Sequence, residues 1–332
     1  MPEATLLGRG SRRLRTAFLG ALVGVIAVAA PARADVGSVT EYPVTTTAGA
    51  FPAGITAGPD RALWFAENAV GRIGRIALDG TTTDFPTSAA DTGPTEVTEG
   101  PDRALWFTET SANRIGRLTT SGRLREFSIP TPDSAPSGIA VGPDRALWFA
   151  EGNANKIGRL TASGRFTEYP VPTPLAGPYS IAAGADGALW FTEIDSGKVG
   201  RITVSGRITE YPLPGASPFP DDIATGPDGV WVTTSGTNSV DRLTYAGRVT
   251  RIPLPDPGSG PSGITRGPDG RIWYADQSGR IGRITPNGKV TTFPVPDGAD
   301  RTPFRLATGP DRAVWFTELT GNAIGRVRAL PT

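Results

Sequence analysis

The sequence predicts an all-β protein, a seven-bladed β-propeller with four antiparallel strands per blade, and three observations carry that prediction. All seven tryptophans recur at one spacing: Trp64, Trp106, Trp148, Trp190, Trp231, Trp273 and Trp315 lie 42, 42, 42, 41, 42 and 42 residues apart. Each lies in a unit of short extended runs closed by Gly, Pro and Asp turns, which is the signature of a propeller blade. The composition agrees, because 43 glycines and 32 prolines beside 38% hydrophobic residues imply many turns around a real core.

The strands follow in order within a unit. Pro136-Ser137-Gly138-Ile139-Ala140-Val141 predicts strand a, and a Gly-x-Asp turn separates it from strand b. In the preceding unit strand b is Leu105-Trp106-Phe107-Thr108-Glu109, strand c contains Ile115-Gly116-Arg117-Leu118, and strand d follows Gly122 as Arg123-Leu124-Arg125-Glu126-Phe127. Runs such as Ala146-Leu147-Trp148-Phe149 are apolar throughout, as expected for a sheet covered on both faces by its neighbours. β-Branched and aromatic residues in short punctuated runs exclude a helical solenoid.

Ring closure is also predicted. The seventh unit ends soon after Ile324-Gly325-Arg326-Val327 and lacks a strand d. Val39-Thr40-Glu41-Tyr42-Pro43 matches the outer strands Phe166-Thr167-Glu168-Tyr169-Pro170 and Ile208-Thr209-Glu210-Tyr211-Pro212, so the N-terminal strand should complete the last blade and leave no open edge.

Residues 1–34 read as an export signal and are set apart from the single propeller domain, 35–332. Arg9, Arg12, Arg13 and Arg15 form the basic region, Ala17 to Ala30 the apolar run, and Ala32-Arg33-Ala34 the cleavage site. The run is shorter than the ~20 residues that span a bilayer, so a secreted protein without a membrane anchor is expected. Ser11-Arg12-Arg13 leaves Sec and twin-arginine export both open. Without this segment 28 basic and 31 acidic residues remain, and no basic stripe marks a nucleic-acid partner. There is no cysteine, so neither disulfides nor thiolate chemistry contribute. A monomer is expected.

Two repeated sets read as structural. Asp60, Asp102, Asp144, Asp186, Asp228, Asp269 and Asp311 share one turn, where a carboxylate can accept backbone N–H groups. Arg75, Arg117, Arg159, Arg201, Arg242, Arg283 and Arg326 are as regular and are predicted to pair with carboxylates or carbonyls between blades.

Two other sets point to one mouth of the disc. Strand b ends on Glu67, Glu109, Glu151, Glu193, Asp276 and Glu318, with Thr234 in the fifth blade. These carboxylates are predicted to surround the mouth, either bridging to the following blade's arginines or holding a hard cation such as Mg²⁺ or Ca²⁺. The residue after each strand-a proline varies instead: Ala53, Thr95, Ser137, Tyr179, Asp221, Ser262 and Phe304. Variation inside a regular frame marks a grafted site. Tyr179, Asp221, Asp222, Phe304 and Arg305 are the predicted ligand-binding residues, with a small organic ligand or cyclic peptide as partner. Asp221, Asp276 and Glu318 are the predicted cation set.

The units Gly-Pro-Asp-x-x-Leu-Trp-Phe-Thr-Glu, Ile-Gly-Arg-Ile and Thr-Glu-Tyr-Pro resemble those of the virginiamycin B lyases across residues 35–332. The resemblance implies a seven-bladed propeller that opens cyclic depsipeptides by Mg²⁺-dependent elimination, a base taking the proton beside the ester carbonyl. It places the family's catalytic histidines at Ser262 and Phe304 and its assisting glutamate at Glu318, the predicted catalytic residue. The sequence contains no histidine, which removes the usual near-neutral base. The reading is therefore a ligand-binding or scaffold propeller, with a lyase using another base and a carboxylate-metal lactonase or hydrolase as alternatives.

Overall fold

Short apolar runs between turn residues become strands here because both of their faces find cover. In blade 2 the four strands are Pro94–Glu99, Leu105–Glu109, Arg114–Leu118 and Leu124–Ser128, hydrogen-bonded in that order. A computed structural model describes residues 35–44 and 48–330, all within the unit Ala34–Thr332; the predicted export segment lies outside the described residues. Seven four-stranded sheets repeat the blade-2 order, and all neighbouring strands are antiparallel. Strand b is buried along its whole length in every blade, because it is sandwiched between the blades on either side. Trp148 of blade 3, for example, packs in one cluster with Leu189 and Phe191 of blade 4.

The ring closes as the sequence predicts. Val39–Pro43 pairs antiparallel with Ala323–Val327, Val39 opposite Val327 and Pro43 opposite Ala323. Tyr42 stacks on Trp315 with ring centroids 5.5 Å apart, which repeats the stacking of Phe127 on Trp106 and Tyr169 on Trp148.

The repeated aspartates do accept backbone N–H groups, but they do more. Asp144 Oδ1 accepts from the Ala146 N–H at 3.3 Å and from Trp148 Nε1 at 3.0 Å, while Oδ2 accepts from Arg159 Nε at 2.7 Å. The arginine is therefore paired inside its own blade, and the expected pairing between blades is corrected. Strands b and c lie side by side, with Trp148 opposite Arg159, so the turn carboxylate reaches both. Burial alone would raise the Asp144 pKa, yet the bonds from Trp148 and Arg159 hold it below its usual value.

The carboxylates ending strand b are also corrected. They do not line the axis, and those of blades 1 to 4 do not bridge to the next blade. Glu67 and Glu151 lean under strand c, beside Gly74 and Gly158, toward Asp84 and Glu168 on strand d of the same blade. Glu109 and Glu193 face Glu126 and Glu210 in the same way. All four inner carboxyls are fully buried. Burial and the neighbouring carboxylate push them up to about 7 for Glu67 and Glu193 and about 8 for Glu109 and Glu151. Against burial, Lys156 and Thr131 hold Glu168, and Thr173 and Lys198 hold Glu210, below the usual carboxylate value. Burial beside a second carboxyl group thus favours the protonated form of each inner acid.

Candidate binding mouth on the propeller axis

Strand a enters each blade through an irregularity. In blade 3, Pro136 lies opposite Glu151 but Ile139 lies opposite Phe149, and the same shift follows the first proline of strand a in all seven blades. A bulge re-aims side chains. Here it places the second residue after the proline on the axis: Glu96, Ser180, Asp222 and Arg305 line a cavity of about 140 Å³. Glycine takes the same position in blades 1, 3 and 6. At Gly54 a Cβ would stand 2.4 Å from Glu96 Oε1, so close approach explains that glycine.

Asp222 and Arg305 line this cavity, and the other three predicted ligand-binding residues, Tyr179, Asp221 and Phe304, surround the Arg305 guanidinium. Arg305, 6% exposed, donates from Nη2 to Asp221 Oδ1 at 3.1 Å, and its Nε stands 3.5 Å from Glu96 Oε2. Its Cζ lies 4.2 Å from the Phe304 ring centroid and 5.5 Å from that of Tyr179. Asp222 Oδ1 accepts from Ser180 Oγ at 2.6 Å and from the Ile223 N–H at 2.9 Å, and Oδ2 accepts from the Ile264 N–H at 2.9 Å. Asp222 thus ties blades 4, 5 and 6 together.

Burial sets the electrostatics. It pushes the Glu96 carboxyl up to about 7, Arg305 opposing and Asp222 adding to the shift. Asp221 is raised for the same first reason, against the pull of Arg305. The Arg305 guanidinium, despite burial, is held charged by Asp221, Asp222, Tyr179 and Glu96. For the Tyr179 phenol the pull of Arg305 is outweighed by burial and nearby carboxylates, which raise its pKa.

The structure does not bring the remaining predicted residues into this cluster. Ser262 is fully buried, and its Oγ donates toward the carbonyls of Phe304 at 3.2 Å and Pro303 at 3.3 Å. Glu318 lies 3.5 Å from Arg301 and faces Glu41 on the closing strand; burial first, then Glu41, pushes it up to about 8. Asp276 Oδ1 accepts from the Ser278 N–H at 2.8 Å and from its Oγ at 2.6 Å, and burial raises its pKa. Asp221 is held by Arg305, Asp276 by Ser278 and Glu318 by Arg301, so the three stay apart, and no three acidic side chains group to hold a metal among the described residues. This donor arrangement does not fit the Mg²⁺ that the resemblance implies.

Beside the cluster a groove of about 480 Å³ runs over blades 1 to 4 on the same face. Thr95, Ser137 and Tyr179 line it, three of the variable positions that follow the strand-a proline. Sequence reasoning missed Glu96, Ser180 and this groove. The second residue after the proline also varies, from glycine through Glu96, Ser180 and Asp222 to Arg305, and that variation was a usable signal.

Seven blades whose variable side chains converge on one axial mouth define a β-propeller with a candidate ligand site on its axis. The chain belongs to the virginiamycin B lyase family, which it matches over residues 32–176 and 141–331. Among solved structures it is similar to a streptogramin B lyase, at 30% identity with a TM-score of 0.84, covering 90% of this chain and 100% of that one. It is also similar to virginiamycin B lyase from Staphylococcus aureus, at 34% identity with a TM-score of 0.83, covering 88% and 99%. A catalytically inactive histidine-to-alanine form of the staphylococcal enzyme, solved with quinupristin, aligns at 33% identity over the same shares, with a TM-score of 0.83. Hydrazine synthase from Kuenenia stuttgartiensis, at 16% identity and a TM-score of 0.72, shares the fold alone. No curated protein sequence matches.

Proposed function

We propose that this chain is a secreted ligand-binding propeller that takes a small organic molecule or cyclic peptide at the axial mouth without opening it. One observation carries the reading: the sequence has no histidine, while a histidine-to-alanine form of the staphylococcal relative is catalytically inactive. Phe304 and the fully buried Ser262 occupy the positions where the family resemblance places imidazoles, and neither can serve as a near-neutral base. What remains suits binding. A groove of about 480 Å³ with an aromatic wall at Tyr179 and a few fixed polar groups has the size and lining of a small-ligand site.

Glu96 favours a second reading. Its carboxyl, pushed up to about 7 on the axis, has the proton affinity of a general base and sits at the same mouth. A lyase using Glu96 in place of histidine is therefore the alternative.

Quinupristin with Mg²⁺ separates the two. Elimination leaves the mass unchanged, so chromatography must resolve cyclic from linear forms. Saturable binding with no linear product is expected. Linearisation at an ordinary enzyme rate of about 1 to 10³ per second that is lost in Glu96→Gln would establish the second reading and overturn the first.

A further inference from the structure

The gap between blades 5 and 6 is built differently from the corresponding six. In the other blades the strand-b tryptophan stacks on a strand-d aromatic: Tyr42, Phe85, Phe127, Tyr169, Tyr211 or Phe293, with ring centroids 5.2 to 5.6 Å apart. A glycine from the following blade's turn then covers that ring. A Cβ on Gly206 would stand 2.1 Å from Tyr169, and one on Gly247 2.3 Å from Tyr211. In blade 5 the ring is absent, because Ile252 occupies the place. Gly288, the covering glycine from blade 6, has nothing within 4 Å of its Cβ direction.

The missing ring leaves a cavity of about 380 Å³ bounded by Trp231, Arg242, Ile252 and Gly288. A second cavity of about 210 Å³ shares Trp231 and Arg242 and extends to Arg266 and Arg271 of blade 6. Trp231 is 6% exposed, whereas the other six tryptophans are fully buried.

The polar groups here are unusual too. The spacing of 41 residues marks one residue fewer before Trp231, and no bond joins Trp231 Nε1 to the turn carboxylate Asp228, which binds Arg242 alone. Next door, Asp269 is shared by Arg271 at 3.1 Å and Arg283 at 3.9 Å. Nε of Arg242, of Arg271 and of Arg283 is buried without a hydrogen-bond partner. Arg242, Arg271 and Arg283 thus share two aspartates, Arg266 adds a further cation to the cavity lining, and buried guanidinium N–H groups point to an anion as the missing acceptor.

We propose that this junction is a second binding site, for a planar aromatic ring carrying one carboxylate. The ring enters the space that Phe or Tyr fills in the other six blades and stacks on Trp231. The carboxylate meets the guanidinium groups of Arg242 and Arg271, which recognise its planar oxygens in fork geometry. The site lies on the face of the Gly-x-Asp turns, away from the axial mouth, so it stands or falls independently of the function proposed above.

Calorimetric titration of the chain from residue 35 with 3-phenylpropionate tests it, against 3-phenylpropan-1-ol, which has the ring without the charge. Saturable binding of the acid is expected, with the alcohol at least about tenfold weaker, since a hydrogen bond to a charged group is worth about 1.5–3 kcal/mol. Ile252→Phe fills the gap with the protein's own ring and should lower affinity for the acid at least tenfold while raising the melting temperature. Arg271→Gln keeps the cavity, loses the charge, and should bind the acid about tenfold more weakly. Absence of saturable binding at millimolar acid, equal affinity for acid and alcohol, or unchanged affinity in either folded variant would overturn the proposal and leave the gap as a packing defect.

Discussion

The Arg305 guanidinium of blade 7 reaches across the propeller axis to the Asp221 carboxylate of blade 5, Nη2 to Oδ1 at 3.1 Å, bypassing blade 6 between them. Both partners are shielded from solvent, so the contact is an internal tie of the ring and the charge centre of the mouth.

Removing that tie should be costly. Arg305→Leu leaves the partly buried Asp221 and Glu96 beside Asp222 with no cation, and truncating one partner of a fully buried pair costs about 3–5 kcal/mol, which sets the upper bound here. Chemical denaturation at pH 8 should show a loss of about 2–4 kcal/mol. At pH 5 the loss should be smaller, because the orphaned acids take up protons.

Stability should fall as pH rises. Glu67, Glu109, Glu151, Glu193 and Glu318 have folded pKa values of about 7 to 8 against a usual 4.5. The folded state therefore binds protons more tightly than the unfolded one. Their stabilising contribution is complete below about 4.5 and is lost as pH passes through 7 to 8. Melting temperatures recorded from pH 5 to 9 should decline, and Glu109→Gln, which cannot ionise, should flatten the slope. A flat profile in the wild type would contradict the paired-acid arrangement.

The turn aspartates should not be equivalent. Asp144→Ala removes bonds to Trp148 and Arg159 and should cost about 1–3 kcal/mol. Asp228→Ala should cost clearly less, since its side chain is 59% exposed and does not hold the Trp231 indole. Equal losses in urea titrations would show that the Asp144 bond to the Trp148 indole adds nothing to stability.

Phe304 and Ser262 should respond differently to histidine. Ser262 is fully buried against the Phe304 carbonyl, so Ser262→His overpacks the site and should cost about 1–3 kcal/mol. Phe304 is only partly buried, and Phe304→His should melt within a few degrees of the wild type.

Much of this fold was legible because the sequence states it seven times. The tryptophan period gave the blades, and the likeness of Val39–Pro43 to the other outer strands gave the closure. Side-chain direction was harder. The end of strand b predicts a place at the mouth for Glu67 and its counterparts, but a nearby glycine on strand c, Gly74 or Gly158, which pairs with the strand-b phenylalanine, makes room for them to turn away from the axis. Alternation also fails at the start of strand a. The bulge after the proline brings Asp222 and Arg305 onto the axis together with Glu96, a contact between blades 2 and 7 that no local pattern encodes. Blade 5 was recognised as the departure from the repeat. Its Asp241 and Arg251, joined by two bonds of 2.8 and 2.7 Å, replace the glycine of strand c and the acid of strand d, and Val232 replaces the phenylalanine that would otherwise fill that room.

The pairing of Val39 with Val327 also bears on time. Six blades are made from consecutive strands, so each can form while its own few dozen residues are collapsing. The seventh needs both ends of the domain, and the entropy of closing so long a loop must be met before any contact rewards it. Closure is therefore expected late in folding, and reopening of the same seam should be the first event in unfolding. The lifetime of the folded ring is then governed by one strand: weakening Val39–Pro43 should speed unfolding while leaving the refolding rate nearly unchanged.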